Sequence, residues 1–250
     1  MIAARTVFYV AYLAQFGKDD YNSIRLLSRR KTRNKMIDTV LFDFDGTIMD
    51  TNEVIIQSWQ ETFRTLKGRE EDRDVLLKTF GEPLEYTMRN FFPDVPLEKG
   101  LEIYRGYQRD NFLSDIHLFP GVRELLDELT QRQIKMGLVT SRLRHTTQQA
   151  LDKFDMNRYF GYVVTADDVT RHKPDPQSIN IVLEKIGSRP EQSIMVGDTI
   201  FDILCAHNAG CTSVLVSWSM SLAEKLQNGF APEETPDRII DDPRQILQML

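Results

Sequence analysis

Two aspartates separated by a single residue are the first indication of chemistry in this sequence. Asp43 and Asp45 stand in the run DFDGT, directly after a short apolar segment. Side chains at positions i and i+2 of an extended chain project from the same side, so the two carboxylates are expected to be neighbours. Like charges this close are unfavourable unless a cation or a proton offsets them. Taken alone, the motif could equally be a structural Asp-Gly turn, in which Gly46 lets the backbone bend.

Three further polar motifs follow along the chain. Thr140 and Ser141 offer hydroxyls to an anionic oxygen just before a predicted helix start, where backbone N–H groups also favour anions. Lys173 supplies a positive charge in the run KPDP, and Asp198 and Asp202 stand in the run GDTIFD. Each motif singly has a plain explanation as a cap, a loop or a turn. Their joint occurrence in this order favours a functional site.

Five short apolar runs are typical of buried strands and place these motifs: residues 39–42, 134–139, 162–164, 193–196 and 212–216. Segments with helical periodicity lie between them. This alternation predicts an α/β fold, a Rossmann-like doubly wound parallel sheet with helices on both faces. Ligands of such sheets bind beyond the carboxyl ends of the strands, and the polar motifs stand at or next to those ends.

One long segment departs from the alternation. Residues 52–116 are helix-like throughout, which predicts a helical cap domain inserted after the first strand. The core domain then comprises residues 36–51 and 117–250, and residues 1–35 form a basic N-terminal extension. Because the connections to the insert are short, the cap is expected to hinge over the sheet.

The ordered motifs DFDGT, TS, KPDP and GDTIFD resemble those of the haloacid dehalogenase superfamily, specifically its phosphatases with a helical cap of subfamily I. The resemblance spans about residues 37–218. The stretches LFDFDGTIMDTN, VVTADDV, MVGDTIFDI and AHNAG are most similar to phosphoglycolate phosphatases and to the inorganic pyrophosphatases of Gram-positive bacteria. This implies a phosphohydrolase that acts on a small phosphate ester or anhydride, with phosphoglycolate and pyrophosphate as the first substrates to consider.

The resemblance also implies a role for each motif. Asp43 would be the nucleophile that attacks phosphorus and forms an aspartyl-phosphate. Asp45 would protonate the leaving group and then activate water. Thr140, the Ser141 backbone and Lys173 would hold the phosphoryl oxygens and neutralise their charge.

A magnesium ion is the implied cofactor. Mg²⁺ would be held by Asp43, the backbone carbonyl of Asp45 and Asp198, together with waters. Asp202 would support the site by ordering either a metal-bound water or Lys173.

Two positions bear on the type of reaction. Ser141 is followed by Arg142, where related proteins often carry Asn, so the phosphate cradle departs there from the common pattern. Thr47 is the residue that hydrolytic members usually carry, whereas sugar-phosphate mutases often have an aliphatic residue. Hydrolysis is therefore preferred, and residues 81–84 are expected to form a specificity loop of the cap.

Other functions stay open. A sugar-phosphate phosphatase or a phosphomutase of the same superfamily is one alternative, and a catalytically silent binding protein is another. A phospho-acceptor receiver domain also uses an acidic pocket, a hydroxyl and a lysine. Receivers are about half as long, however, and place their lysine after the fifth strand, whereas Lys173 precedes the fourth.

Composition narrows the partners. The net charge of −6 divides into +6 for residues 1–37 and −12 for the remaining 213 residues. An acidic body argues against nucleic acid as a partner, because phosphate neutralisation needs clustered basic residues. No apolar run is long enough for a membrane span, and Cys205 and Cys211 are typical of reduced thiols in a cytoplasmic protein. The expected partner is a small phosphorylated substrate; the oligomeric state is not indicated.

Three interpretations of residues 1–35 stay open, the first of which is a targeting segment of either the secretory or the mitochondrial type. Residues 7–14 resemble the apolar part of a secretory signal, although no small-residue cleavage site follows. A mitochondrial presequence conflicts with Asp19 and Asp20. A structured extension, or a natural start at Met36 directly before the first strand, are the other two interpretations.

Overall fold

A central parallel sheet organises the chain, of which a computed structural model describes residues 36–80, 82–218 and 229–250. The expectations for residues 1–35 and for Gly81 lie outside the described residues. Met36–Leu250 forms one compact unit. Within the described ranges the strands are β1 (Thr39–Phe42), β2 (Met49–Asp50), β3 (His117–Leu118), β4 (Lys135–Val139), β5 (Tyr162–Val164), β6 (Ser193–Gly197), β7 (Thr212–Val216) and β8 (Arg238–Ile240).

Six of these strands form the main sheet in the order β5-β4-β1-β6-β7-β8, and all pairs in it are parallel. The chain builds the sheet outward from β1 on one side and then returns to its other side. The strand order therefore reverses at β1, which is where such sheets bind ligands. The expected α/β fold with a doubly wound parallel sheet is confirmed.

Helices connect the strands: α1 (Asn52–Lys67), α2 (Arg73–Leu77), α3 (Leu84–Phe91), α4 (Leu97–Asn111), α5 (Val122–Gln131), α6 (Arg144–Lys153), α7 (Gln177–Ile186) and α8 (Ile200–Ala209). The first four make up the segment for which a helical insert is expected. Among the described helices, none combines the length and the apolar character needed to cross a bilayer.

Alternation along the strands gives the sheet two buried faces. Val40 and Phe42 of β1 pack on one face with α5 and α6, while Leu41 packs on the other face with α7 and α8. Gly137 of β4 lets α7 approach closely, since a Cβ at this position would lie 2.3 Å from a side-chain carbon of Val182. Covered on both faces, these strands read as continuous apolar runs.

The helical insert has an apolar core of its own, here called the insert cluster. Its members are buried aliphatic and aromatic side chains: Ile56, Trp59, Phe63, Leu76, Met88, Phe92, Leu101 and Tyr104. Rings meet in edge-to-face geometry, with the centroids of Trp59 and Tyr104 4.9 Å apart. Such pairs add to the stability that apolar burial provides.

The sequence missed two features of the sheet. β8 was not expected, because it has only three residues and Arg238 and Ile239 are exposed at the sheet edge. The residues flanking the insert were also expected to be simple linkers. They instead form the antiparallel ribbon β2–β3, in which Met49 pairs with Leu118 and Asp50 with His117. The insert therefore enters and leaves through adjacent strands.

Candidate active site

Three carboxylates meet where β1 and β6 end. Asp43 directly follows β1, Asp198 directly follows β6, and Asp202 lies in the first turn of α8. One carboxylate oxygen from each lies within 4.8 Å of the others, and all three side chains are buried. With Lys173 they form what we call the carboxylate pocket. Buried carboxylates this close require positive charge nearby.

Lys173 supplies part of that charge. Its Nζ donates hydrogen bonds to Asp43 Oδ1 at 2.6 Å, Asp202 Oδ1 at 2.6 Å and the carbonyl oxygen of Val139 at 2.8 Å. These three acceptors use all three ammonium protons. Burial acts to lower the pKa of Lys173, but the two carboxylates outweigh it and hold that pKa above its ordinary value. Lys173 is therefore a fixed cation.

Asp43 remains electrostatically unfavourable in spite of this lysine. Burial raises its pKa well above the ordinary value, Lys173 opposes that effect, and the carboxylates of Asp202, Asp198 and Asp45 reinforce it. The pocket therefore carries more negative charge than the lysine offsets. Oxygen donors in a cluster of this kind suit a divalent ion such as Mg²⁺, so the residues present fit the expected cofactor.

The position of Asp202 depends on Gly197 and Thr199. A Cβ on Gly197 would lie 2.2 Å from the Cβ of Asp202, so glycine at the end of β6 allows the carboxylate to approach. Asp202 Oδ2 accepts hydrogen bonds from the backbone N–H and hydroxyl of Thr199, forming a capping box, while Oδ1 accepts from Lys173. The bond to Oδ1 matches the alternative in which Asp202 orders Lys173, and the ordering of a metal-bound water stays a prediction.

The turn after β1 presents Asp45. Gly46 has φ 74°, a left-handed conformation that favours glycine, and its N–H donates to the carbonyl oxygen of Met49. Thr47 is buried, and its hydroxyl donates to Asp43 Oδ2 over 3.5 Å. The first motif thus brings its members together as a turn that supports the Asp43 carboxylate.

The second motif differs from expectation in one respect. Ser141 is exposed and lines the cavity between the strand ends and the helical insert. Thr140 is buried and does not line that cavity. The Thr140 hydroxyl accepts a hydrogen bond from the backbone N–H of Arg142. The expected phosphate contact of Thr140 stays a prediction.

Arg142 was not expected to be a site residue. Its guanidinium donates to both carboxylate oxygens of Asp45, with Nε 3.1 Å from each and Nη2 2.9 Å from Oδ1. The side chain is buried, and its guanidinium stacks on the ring of Phe112, 4.1 Å from the centroid. The one sequence signal was its place directly after the second motif, where relatives often carry Asn.

A cavity of about 620 Å³ opens between these strand ends and the helical insert. The sheet side contributes Asp43, Asp45, Ser141, Lys173 and Asp198. The insert contributes Trp59 and Tyr104 of the insert cluster, Glu82 of the expected specificity loop, and four side chains that sequence reasoning did not single out: Glu85, Arg105, Gln108 and Arg109. Residues 82–84 of the expected specificity loop also line the cavity.

The fold and this pocket define an α/β protein whose acidic site is covered by a helical insert. A sequence model of the haloacid dehalogenase-like hydrolases matches residues 40–216, and the chain belongs to that family. The expected family membership and the expectation of an enzyme, a hydrolase, are thereby confirmed.

Individual proteins resemble this chain over most of its length. The chain is 36% identical over 214 residues to a protein of Caldanaerobacter subterraneus subsp. tengcongensis provisionally named pyrophosphatase PpaX, covering 86% of this chain and 94% of that one. It is 32% identical over 217 residues to pyrophosphatase PpaX of Oceanobacillus iheyensis, covering 86% and 97%. A crystal structure of a provisionally named phosphoglycolate phosphatase from Lactobacillus plantarum superposes with a TM-score of 0.75 at 22% identity, covering 86% and 100%.

Proposed function

We propose that the protein is a Mg²⁺-dependent phosphohydrolase and that inorganic pyrophosphate is its principal substrate. The observation that carries the reaction type is the buried Asp43 carboxylate, placed at the strand end among a lysine and two further aspartates. The choice of pyrophosphate is supported by the names of the relatives at 32–36% identity. Phosphoglycolate is the second candidate from the sequence, and the substrate experiment below separates the two.

The reaction would take place in two transfers. In the first, Asp43 attacks phosphorus, the bond to the bridging oxygen breaks, and Asp45 gives a proton to the leaving oxygen. In the second, Asp45 takes a proton from water, whose oxygen attacks the aspartyl-phosphate. This releases phosphate and returns both aspartates to their starting state.

The surrounding residues would bind charge and hold orientation. The hydroxyl and backbone of Ser141 would contact the phosphoryl oxygens, Lys173 would offset their charge, and Thr47 and Asp202 would keep the two ends of the Asp43–Lys173 pair in place. Asp43, Asp198 and the backbone carbonyl of Asp45 would hold Mg²⁺. When bound, the ion supplies positive charge that offsets these carboxylates and the phosphoryl oxygens.

The cavity also bears on substrate size and on hydrolysis. About 620 Å³ is ample room for a small phosphate compound, and side chains of the insert line one side of the cavity. Thr47 in contact with Asp43 is consistent with a hydrolase rather than a mutase. A cytoplasmic location belongs to the same proposal and is supported by the two free cysteines, both buried.

Turnover of pyrophosphate and phosphoglycolate by wild type, Asp43→Asn and Asp38→Asn tests the proposal. Asp38 is a matched control, because it precedes β1 at the opposite end of the strand. We expect wild type and Asp38→Asn to release phosphate only with Mg²⁺ and to prefer pyrophosphate by at least tenfold in kcat/KM. Asp43→Asn should lose at least 1,000-fold.

Two results would contradict the proposal in separable ways. Activity retained by Asp43→Asn, or unchanged by chelation of the metal, would remove the mechanism. Faster turnover of phosphoglycolate would leave the mechanism intact and replace only the substrate.

A further inference from the structure

The contact between Arg142 and Asp45 joins residues 97 positions apart. Both carboxylate oxygens of Asp45 face the guanidinium, which approaches through Nε and Nη2. A two-point contact of this kind fixes the plane of the carboxylate as well as its position. A single donor would leave the carboxylate free to rotate about its last bond.

Arg142 is itself held from three directions. Its backbone N–H donates to the Thr140 hydroxyl at 3.1 Å, and its carbonyl oxygen accepts from the backbone N–H of Ala166 at 3.0 Å. The guanidinium packs over Phe112, the residue at the end of α4. The arginine is thus a rigid donor that meets a more exposed acceptor, because the Asp45 side chain is 27% exposed and that of Arg142 only 6%.

Proton transfer depends strongly on such orientation. A general acid must present its oxygen within hydrogen-bond reach of the leaving oxygen, and small displacements of a catalytic group cost large factors in rate. Asp45 stands on a turn facing the open cavity, where a free carboxylate would sample several rotamers. The two-point contact with the buried Arg142 side chain restricts that choice.

We propose that Arg142 is a positioning residue that sets the orientation of Asp45 for proton transfer to the leaving group. The inference rests on the proposed function, in which Asp45 is the general acid. It predicts that Lys cannot replace Arg142 fully, because an ammonium group lacks the planar fork that engages both carboxylate oxygens.

A series of phosphate monoesters with leaving groups of rising pKa tests this role. Good leaving groups such as nitrophenolate depart with little help from an acid, whereas phenols and then simple alcohols need it increasingly. For Arg142→Gln we expect kcat/KM, which reports the transfer to Asp43 and not the later hydrolysis shared by all substrates, to fall less than fivefold on nitrophenyl phosphate and at least 30-fold on an alkyl phosphate. Arg142→Lys should lie between Arg142→Gln and wild type.

Two controls accompany the series. Arg144→Gln, two residues further on, removes an exposed arginine that pairs with Asp168, and it should leave both rates within twofold of wild type. For Arg142→Ala, added guanidinium ion should restore at least a tenth of the activity on pyrophosphate or phosphoglycolate, whichever wild type turns over faster. Ammonium at the same concentration should not.

The outcomes separate the inference from the function on which it rests. An equal loss of kcat/KM on all leaving groups, or a loss that follows their charge rather than their pKa, would overturn the positioning role. So would a failure of guanidinium to rescue a folded Arg142→Ala variant. If Asp45→Asn itself keeps full activity on the alkyl phosphate, the proposed role of Asp45 fails instead.

Discussion

The carboxylate pocket and the insert cluster are both buried, but they are built on opposite principles. The insert cluster gathers apolar and aromatic side chains, whose burial is favourable without any partner of special chemistry. The carboxylate pocket gathers three aspartates around one lysine, and its negative charge is only partly offset. Burial therefore stabilises the first region and makes the second dependent on a cation.

The buried carboxylates of the pocket lower the stability of the folded protein, and the proposed reaction needs them there. The proposed nucleophilic attack would need an ionised Asp43, and burial raises the pKa of that carboxyl. In the insert cluster, which contributes Trp59 and Tyr104 to the cavity wall, burial of the side chains favours stability and opposes no step of the proposed reaction. Substitutions in the carboxylate pocket should therefore change activity, whereas substitutions in the insert cluster should change mainly stability. Four predictions follow from this difference.

The largest effect is expected from Lys173→Met. Removal of the ammonium leaves Asp43 and Asp202 buried without their shared partner, and breaking a buried pair in this way costs about 3–5 kcal/mol. Turnover should fall at least 1,000-fold as well. Chemical denaturation of the metal-free protein measures the first quantity and phosphate release the second.

The double variant Lys173→Met/Asp43→Asn provides the control. It should recover a measurable part of the lost stability, because one of the two uncompensated charges is gone, and it should recover none of the activity. If Asp43→Asn changed the free energy of unfolding by the same amount with and without Lys173, the two side chains would not interact, and the comparison would be contradicted.

Phe63→Ala, a change in the insert cluster, should lower the free energy of unfolding by a similar amount and leave turnover largely unchanged. Phe63 is fully buried against Phe91 and Phe92, and truncation of such a ring costs about 3–5 kcal/mol. Below its unfolding transition, the variant should keep kcat within about threefold. The volume-conserving change Phe63→Met should lose less than about 1.5 kcal/mol. A collapse of kcat in the folded Phe63→Ala protein would show that the two regions are not separable.

Mg²⁺ should raise the stability of the folded protein through the carboxylate pocket and not through the insert cluster. A ligand that binds only the folded state at a concentration 100-fold above its Kd adds about 2.7 kcal/mol, seen as a rise in Tm on addition of the ion. Phe63→Ala should show the full increment over its own lower baseline. Asp198→Asn should show little of it, and an equal increment in Asp198→Asn would exclude that carboxylate as a ligand.

Local pattern was enough to predict most of the sheet. The central strands are buried on both faces, so each appears in the sequence as an apolar run, and the predicted bounds of β1, β5 and β7 agree with the structure. β8 lacks that pattern because two of its three residues are exposed. The β2–β3 ribbon is two residues long on each side and depends on pairing between Met49 and Leu118, which no local pattern encodes.

Local sequence patterns also predicted only part of the candidate site. Asp43 and Asp198 were predicted because each directly follows an apolar strand, and Lys173 because it stands in a polar motif of the loop between β5 and α7. The proximity of Asp202 follows from Gly197 and from the three-residue spacing to Thr199, which is a recognisable capping box. Arg142 could not be found this way, since its partner Asp45 lies 97 positions away and only the folded chain brings them together.

The smallest expected effect is a gain of stability in Asp43→Asn without metal. A carboxyl whose pKa is raised in the folded state gives stability that is fully present below the unfolded pKa, near 3.8, and is lost as pH rises through the folded value. At neutral pH Asn should therefore raise the free energy of unfolding of the metal-free protein. The difference between variant and wild type should shrink as pH falls toward 4, and saturating Mg²⁺ should reverse it in favour of wild type. A metal-free Asp43→Asn protein less stable than wild type at neutral pH would mean that the bond to Lys173 outweighs burial, and the pocket would then not differ from the insert cluster in the way argued above.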